Sequence, residues 1–336
     1  MTSEVVAGPA IEVEGLVKVY PGGTRALDGI DVAVGRGEFF AFLGPNGAGK
    51  TTTIRILTTL LRPTSGRARV LGLDVTERPG EVRRRIGFAM QTVALEGLAT
   101  GRENLELMGR LHRVPGPALR DRVDELLELM GLTAVAGKLA GTYSGGMRRR
   151  LDLATALVHG PDVLFLDEPT EGLDPQSRAA LWQELARINR EGTTMLLTTH
   201  YMEEADQLCP RLAIIDEGRI VVSGAPADLK RGIGADTVTI GLEAADGEMT
   251  ARQDAVARQL DGFSPMQGLE RTDEGVRLAV VDAAATVPDL LRRLDGDGIG
   301  VRALAMQHPS LDDVFLRYTG RHIRDEAADR PLETGW

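Results

Sequence analysis

The sequence contains very little cysteine and no long apolar run. Cys209 is the only cysteine among 336 residues, so an intrachain disulfide is excluded and a reducing compartment is expected. No apolar stretch approaches the roughly 20 residues that a membrane-spanning helix needs. The first nine residues carry neither the basic nor the apolar segment of a signal peptide. We therefore expect a protein that reaches a membrane only through a partner.

Positive charge is also scarce. The 49 acidic residues outnumber the 39 lysines and arginines, which gives a net charge of −10. Nucleic-acid-binding surfaces are usually basic, so this balance argues against a nucleic-acid partner. Only four residues are lysines, namely Lys18, Lys50, Lys138 and Lys230. The hydrophobic content of 43% is ordinary for a globular protein, and the length is sufficient for two domains.

Lys50 belongs to a glycine-rich loop between an apolar strand and a helix predicted from Thr52 to Leu61. The loop reads Gly44, Pro45, Asn46, Gly47, Ala48, Gly49, Lys50, Thr51 and Thr52. Glycines let backbone N–H groups turn toward phosphate oxygens, and a helix N-terminus favours anions. Lys50, expected on an exposed loop, can reach the β- and γ-phosphates, and the Thr51 hydroxyl can hold Mg²⁺. A simple glycine-rich turn is the alternative, but a chance match is on the order of a percent or less. The pattern predicts a nucleotide site.

A second predicted strand ends in two carboxylates. Residues 163–166 are apolar, as in a buried parallel strand, and Asp167 and Glu168 follow directly. Asp167 is placed to hold Mg²⁺, and Glu168 can polarise the water that attacks the γ-phosphate. An exposed acidic pair at a strand end is the alternative, but the phosphate loop in the same chain favours the functional interpretation.

Two more polar residues follow predicted strands. Gln91 comes after residues 86–90, and His200 comes after residues 195–199. Ligands in α/β folds bind at the carboxyl ends of strands. We therefore expect Gln91, Asp167 and His200 to line one crevice. A commonplace surface glutamine and a structural histidine are the alternatives.

Two further candidates lie outside these strand ends. Tyr20 ends the first predicted strand and could stack on a purine or pack on the sheet, and spacing does not decide between them. The residues Ser144, Gly145 and Gly146 precede a helix predicted from Met147 to about His159. Unpaired N–H groups at that helix start make a second anion site. Arginines 148–150 are interpreted as a solvated helix face.

Together these motifs resemble those of the ATP-binding-cassette (ABC) ATPases over roughly residues 10–230. The phosphate loop matches the Walker A motif, residues 163–168 match Walker B, and residues 143–147 match the signature. Gln91, residues 172–174 and His200 match the Q-loop, D-loop and switch histidine. Tyr143 and Met147 depart from the commoner Leu-Ser-Gly-Gly-Gln signature. Residues 143–150 and 309–315 resemble the daunorubicin-resistance branch of exporter ATPases.

The resemblance implies roles for individual residues. Hydrolysis would depend on Lys50, Gln91, Glu168 and His200. Mg²⁺ would be held by Thr51, Gln91 and Asp167. ATP would contact Tyr20, loop residues 44–52, Ser144, Gly145, Gly146 and Asp174, with Tyr20 stacking on adenine. Because the signature serves the other subunit's ATP in this family, a homodimer is implied.

The resemblance also implies a function and a location. The chain would hydrolyse ATP to power efflux of a drug-like or hydrophobic compound through a separate permease with about six transmembrane helices. It would lie at the cytoplasmic face of the membrane as a peripheral subunit, without nucleic acid. An importer ATPase, a nucleic-acid ATPase of the same family and a regulatory module without turnover are the alternatives.

The expected fold is α/β with two domains. Residues 10–232 would form a P-loop nucleotide-hydrolase core with a mostly parallel sheet, an N-terminal antiparallel β part and a helical subdomain at about 92–160. Residues 236–318 give the order strand, helix, weak strand, strand, helix, strand, which predicts a small ferredoxin-like α+β domain. Residues 319–336 are expected to form a flexible tail.

Overall fold

The computed structural model describes residues 8–234, 236–243 and 248–321. These residues fall into two compact units, of which the first ends at Pro226 and the second begins at Ala227. The boundary falls after the first residue of the helix Pro226–Ile233, whereas residues up to 232 were predicted to belong to the ATPase domain. The glycines that suggested a linker, Gly232 and Gly234, instead lie at the end of that helix, where glycine is common.

The first unit is built from two sheets and flanking helices. Its strands are β1 (Ile11–Val19), β2 (Arg25–Val34), β3 (Phe39–Leu43), β4 (Ser65–Val70), β5 (Leu73–Asp74), β6 (Ile86–Ala89), β7 (Val163–Asp167), β8 (Thr194–Thr199), β9 (Arg211–Asp216) and β10 (Arg219–Gly224). Its helices are α1 (Lys50–Leu57), α2 (Pro79–Arg83), α3 (Gly101–Leu111), α4 (Gly116–Leu129), α5 (Gly145–Leu157), α6 (Pro175–Arg190) and α7 (Met202–Leu208).

The central sheet has the strand order β10-β9-β3-β8-β7-β6. All neighbouring strands in it are parallel except β9 and β10. Strands β3, β7 and β8 are buried along their whole length, which explains their nearly continuous apolar sequences. In the register of the sheet, Leu43 pairs with Thr199 and Asp167 pairs with Thr198. The three strands therefore end together, and the polar residues that follow them lie close in space.

A second, antiparallel sheet has the order β2-β1-β4-β5. One hydrophobic core joins it to the central sheet and to α1, with Leu16, Phe42 and Ile54 fully buried in it. The predicted antiparallel N-terminal part and the mostly parallel sheet are both confirmed. Helix α1 ends at Leu57, before the predicted Leu61, because Thr59 adopts a left-handed φ of +66°.

Helices α3, α4 and α5 pack against one another within the predicted helical subdomain. Thr100 caps α3 by accepting a hydrogen bond from the Glu103 N–H, and the Glu103 carboxylate accepts one from the Thr100 N–H. Such a reciprocal pair satisfies two N–H groups that the helix itself leaves free. Helix α5 begins at Gly145, two residues before its predicted start, so the signature glycines belong to its first turn.

The strands and helices of the second unit follow one another in the predicted α+β order. Its elements are α8 (Pro226–Ile233), β11 (Asp236–Leu242), α9 (Met249–Gln259), β12 (Met266–Thr272), β13 (Gly275–Val280), α10 (Ala283–Gly296), β14 (Val301–Gln307) and α11 (Leu311–Thr319). The strands form an antiparallel sheet in the order β12-β13-β11-β14. Val256 of α9 and Leu290 of α10 are buried in the same core as Val238 of β11, so this unit has a core of its own.

The end of the chain is described only in part. Thr319, the first residue of the predicted tail, is the last residue of α11. Residues 322–336, which are most of that tail, lie outside the described residues. Within the described ranges, no helix is both long enough and apolar enough to cross a bilayer.

Candidate nucleotide site

Close backbone contacts determine the shape of the loop between β3 and α1. A Cβ atom on Gly44 would lie 2.1 Å from the carbonyl oxygen of Ile215, and one on Gly49 would lie 2.6 Å from that of Ala26. Gly49 also has a φ of +108°, which side-chain-bearing residues rarely adopt. Only glycine fits at these two positions, so the loop can run directly into α1 and present its free N–H groups.

Lys50 begins α1, and its side chain is buried. The residue is only 4% exposed. Its Nζ donates hydrogen bonds to the carbonyl oxygens of Gly44 at 2.8 Å and Pro45 at 2.9 Å. Burial lowers the pKa of Lys50, while the nearby Glu168 carboxylate opposes this shift. The expectation of an exposed lysine was wrong, because two loop carbonyls and the Glu168 carboxylate enclose the ammonium group.

Glu168 lies between Lys50 and His200. Its Oε1 is 3.3 Å from the Lys50 Nζ, and its Oε2 is 3.4 Å from the His200 Nδ1. Burial by itself would raise the pKa of Glu168, but the nearby His200 ring and the charge of Lys50 outweigh it and lower the pKa. The carboxylate therefore stays ionised at neutral pH. The structure brings three of the four predicted catalytic residues together.

Asp167 makes the contacts expected of a metal-binding carboxylate. Its Oδ1 accepts hydrogen bonds from the hydroxyls of Thr51 at 3.1 Å and Thr198 at 2.6 Å. No cluster of three or more His, Cys, Asp and Glu side chains able to hold a metal occurs in the described part of the chain. Proteins usually bind Mg²⁺ through one or two carboxylates together with substrate phosphates. The sequence analysis missed Thr198, although a threonine in an apolar strand was a possible signal.

Gln91 is hydrogen-bonded through its side-chain amide. It is exposed, and its Nε2 donates to the Glu171 carboxylate. Its hydrogen bond within the described residues therefore goes to the segment after β7, and not to Thr51 or Asp167. The structure thus identifies Glu171 as the partner of Gln91.

Tyr20 lies beside the phosphate loop. Its hydroxyl oxygen is 3.3 Å from the Thr52 Oγ1, in the first turn of α1. The Nζ of Lys18 lies 5.4 Å from the centre of its ring, a distance that permits a cation–π contact. The ring is half-buried, so part of its surface is accessible for stacking.

The signature and Asp174 lie at two neighbouring helix starts. Ser144 caps α5 by accepting a hydrogen bond from the Met147 N–H at 3.2 Å. Asp174 caps α6 through the Ser177 N–H and hydroxyl, and these hydrogen bonds lower its pKa. A Cβ on Gly146 would lie 2.7 Å from the Ser177 Oγ, which shows how close the two helix starts are. For the described residues, these hydrogen bonds go to the helix starts themselves and not to loop residues 44–52.

Arg149 is a buried residue that the sequence analysis assigned to a solvated face. It is 5% exposed, and its guanidinium donates to backbone carbonyl oxygens of β7 and its surroundings. Arg148 is exposed as predicted, and the half-buried Arg150 donates to the Met130 carbonyl at 2.8 Å. Asp152, one turn further along α5, was a possible signal that Arg149 is buried, because side chains three residues apart lie on the same face of a helix and can pair there.

Comparison with known proteins establishes the family. Residues 27–171 match the family model described as ABC transporter, and residues 224–319 match the C-terminal domain of DrrA1-3-like ATP-binding proteins. The daunorubicin resistance ATP-binding protein DrrA2 of Streptomyces coeruleorubidus is 46% identical over 321 residues, which are 96% of this chain and 98% of that protein. The chain belongs to the ABC transporter ATP-binding proteins.

Two further proteins are similar to this ABC ATPase. The daunorubicin/doxorubicin resistance ATP-binding protein DrrA of Streptomyces peucetius is 44% identical and covers 96% of each chain. The dimeric structure of the ATP-binding cassette MJ0796 bound to ADP and phosphate is 28% identical, with a TM-score of 0.59, and covers 64% of this chain and 98% of that one. The predicted family, fold class and ATPase activity are confirmed, and the similar proteins do not favour the importer and nucleic-acid alternatives.

Proposed function

We propose that this ABC ATPase hydrolyses ATP at the cluster of Lys50, Glu168 and His200, and that it powers export of a drug-like or hydrophobic compound through a separate permease. The observation that carries the assignment of the site is the position of Glu168 at the end of β7, 3.3 Å from Lys50 and 3.4 Å from His200. The substrate class is supported by the names of the similar daunorubicin-resistance proteins.

Each member of this cluster suits one part of hydrolysis. The ionised Glu168 can accept a proton from water, as a general base must at neutral pH. The His200 Nδ1 lies 3.4 Å from the second carboxylate oxygen, on the side away from Lys50. The Lys50 ammonium is directed by two loop carbonyls within 2.9 Å, and its charge matches the β- and γ-phosphates. Tyr20, beside the same loop, stacks on adenine.

Mg²⁺ is the metal that this site suits. When bound, the ion neutralises phosphate charge and orients the phosphates. The Thr51 hydroxyl and the Asp167 carboxylate are oxygen ligands that already lie 3.1 Å apart. Gln91 is the third proposed ligand, and it would have to leave its present partner Glu171 to act as one.

The complete site requires two copies of the chain. Ser144 and Gly145 are exposed at the start of α5, and the hydrogen bonds of Ser144 and Asp174 stay within their helix starts. Their free N–H groups are therefore available to a second molecule. The similar cassette MJ0796 was solved as a dimer. Each ATP would lie between the phosphate loop of one copy and the residues Ser144, Gly145, Gly146 and Asp174 of the other.

The permease places the protein at the cytoplasmic face of the membrane as a peripheral subunit. We propose a partner with about six transmembrane helices, which is the size expected from the resemblance to exporters. Transport specificity would belong to that subunit, because the permease forms the path through the membrane.

A reconstituted complex tests the proposal. The chain and a candidate permease from a neighbouring reading frame would be placed in vesicles, and ATP-dependent daunorubicin movement would be followed by its fluorescence. We expect transport toward the side opposite the ATPase, its loss in Glu168→Gln, and normal transport in the surface control Glu191→Gln. ATP hydrolysis without drug movement would contradict the export assignment, and uptake that requires a solute-binding protein would indicate an importer.

A further inference from the structure

Arg149 connects the signature helix α5 to the main chain on both sides of Glu168. Its Nε donates to the carbonyl oxygen of Pro169 at 2.6 Å, and its Nη2 donates to that of Asp167 at 3.3 Å. These carbonyls belong to the residues immediately after and before Glu168. One side chain therefore holds the two residues that flank the proposed base.

The same guanidinium reaches a third segment. Its Nη1 donates to the carbonyl oxygen of Met90, the residue that precedes Gln91. Arginine carries five N–H donors in a rigid planar arrangement, whereas lysine carries a compact ammonium on a flexible stem. Only arginine among the basic residues can hold three separate carbonyls in a fixed geometry.

The backbone at Glu168 needs such support. Glu168 has a φ of +48°, a left-handed conformation that is strained for a residue with a side chain. Strained residues persist when their surroundings hold them in place. The Glu168 N–H donates to the Thr198 carbonyl at 3.1 Å, and Arg149 holds the neighbouring peptide oxygens. The carboxylate can then face Lys50 and His200.

Burial of Arg149 indicates that these contacts are its main role. The side chain is 6% exposed, and its carboxylate partner Asp152, at 3.4 Å, is 7% exposed. Burial lowers the pKa of Arg149 and raises that of Asp152, so enclosing this pair has a cost. The neighbouring Arg148, in contrast, is exposed.

We propose that Arg149 is a positioning residue that sets the orientation of Glu168 and of the main chain before Gln91 relative to the signature helix. The inference rests on the proposed assignment of Glu168 as the base. In the proposed dimer, α5 begins at the ATP shared with the other subunit, so Arg149 also links that helix to the chain's own Glu168.

Substitutions in the full-length protein test this role. We expect Arg149→Gln to lower kcat about 10- to 100-fold, because small displacements of catalytic groups have effects of this size, with ATP affinity unchanged within about threefold. The matched control is Arg150→Gln, which removes a neighbouring arginine with a carbonyl partner in the helical part. It should keep kcat within about twofold.

A double-variant cycle separates positioning from loss of folding. In a Glu168→Gln background there is no base to orient, so adding Arg149→Gln should change the residual hydrolysis little. An equal fold-loss in both backgrounds would overturn the proposal. Because Arg149→Gln leaves Asp152 without its partner and could unfold the chain, Arg149→Lys is the second variant. It keeps a charge beside Asp152 but not the forked donors, so a folded Arg149→Lys with native kcat would also overturn the proposal.

Different results would refute the role of Glu168 as the base and the role of Arg149 in positioning it. Native turnover in Glu168→Gln would refute the base itself, whatever Arg149 does. An inactive Glu168→Gln together with native kcat in folded Arg149 variants would refute only the positioning role.

Discussion

The Lys50 Nζ lies 3.3 Å from the Glu168 Oε1, and the two side chains are 3% and 7% exposed. The residue proposed to bind phosphate and the residue proposed to activate water therefore form one buried ion pair. Removing either partner leaves the other buried with less compensation, which is more costly than losing a surface pair. Variants at this site should thus change stability as well as activity.

Substitution of Lys50 should have both effects. We expect Lys50→Ala to lower ATP hydrolysis about 100-fold or more, because the charge on the phosphates is lost. It should also lower the free energy of unfolding by about 1–3 kcal/mol, with His200 still beside Glu168. Steady-state hydrolysis and urea unfolding measure the two effects. The exposed Lys138→Ala is the control, and near-native turnover in Lys50→Ala would contradict the nucleotide site.

Glu168→Gln should trap ATP in a dimer. The amide keeps the shape of the carboxylate and one acceptor oxygen, but it removes the charge that activates water, so ATP should bind and persist. Light scattering after size exclusion should show a dimer in ATP and a monomer in ADP. A variant that retains ATP and stays monomeric, even with the permease present, would refute the shared site.

A signature substitution tests which residues complete the dimer. Gly145 is the suitable position, because an added Cβ meets nothing within 4 Å, whereas one at Gly146 would lie 2.7 Å from the Ser177 Oγ of the same chain. We expect Gly145→Asp, added to Glu168→Gln, to abolish the ATP-dependent dimer by repelling the γ-phosphate. Gly145→Asn is the uncharged control. ATP binding by the monomer should remain, and a surviving dimer in the Asp variant would disprove the signature contact.

The pH dependence of stability should reflect the lowered pKa of Glu168. A carboxyl group whose folded pKa lies below its unfolded value of 4.5 stabilises the fold fully above that value and loses this contribution as pH falls through the folded pKa. The difference in unfolding free energy between the native chain and Glu168→Gln should thus be constant near neutral pH and shrink on acidification below 4.5. Urea unfolding from pH 7 to pH 3 tests this, and a difference that grows on acidification would mean that burial dominates.

Cys209 provides a probe of the first unit. It is the only cysteine in the sequence, it is 3% exposed, and burial raises the pKa of its thiol well above the usual value. Because the thiolate is the reactive form, a thiol reagent should modify the native protein slowly and the urea-unfolded protein completely. Cys209→Ser gives the background signal. Rapid labelling of the native protein would show that α7 opens more readily than its burial indicates.

The division at Pro226 predicts a stable truncation. Each unit has its own hydrophobic core, so residues 1–226 should fold and bind ATP without the second unit. A fragment that ended at residue 232 would keep α8 but would lack the rest of the second unit, to which this helix belongs. Cooperative thermal unfolding and nucleotide binding of the fragment are the measurements. An aggregated 1–226 fragment would show that the two units depend on each other for folding.

The local chemistry of the site followed from sequence because it depends on neighbouring residues. A glycine loop between a buried strand and a helix determines where phosphate can bind, and both Gly44 and Gly49 have contacts that only glycine permits. Residues 163–168 are equally local, since a fully apolar strand followed by carboxylates places them at the end of the sheet. The order of elements in the second unit also followed, because alternating strand and helix periods are visible in short segments.

The tertiary structure decided which side chains face one another. The burial of Lys50, the hydrogen bond from Thr198 to Asp167 and the pairing of Gln91 with Glu171 join segments separated by 118, 31 and 80 positions in the chain. The sequence pattern assigned Arg149 to a solvated face because three consecutive arginines on a helix usually contact water. Its burial depends on the carbonyls of Met90, Asp167 and Pro169, and these are backbone groups whose position no residue type specifies.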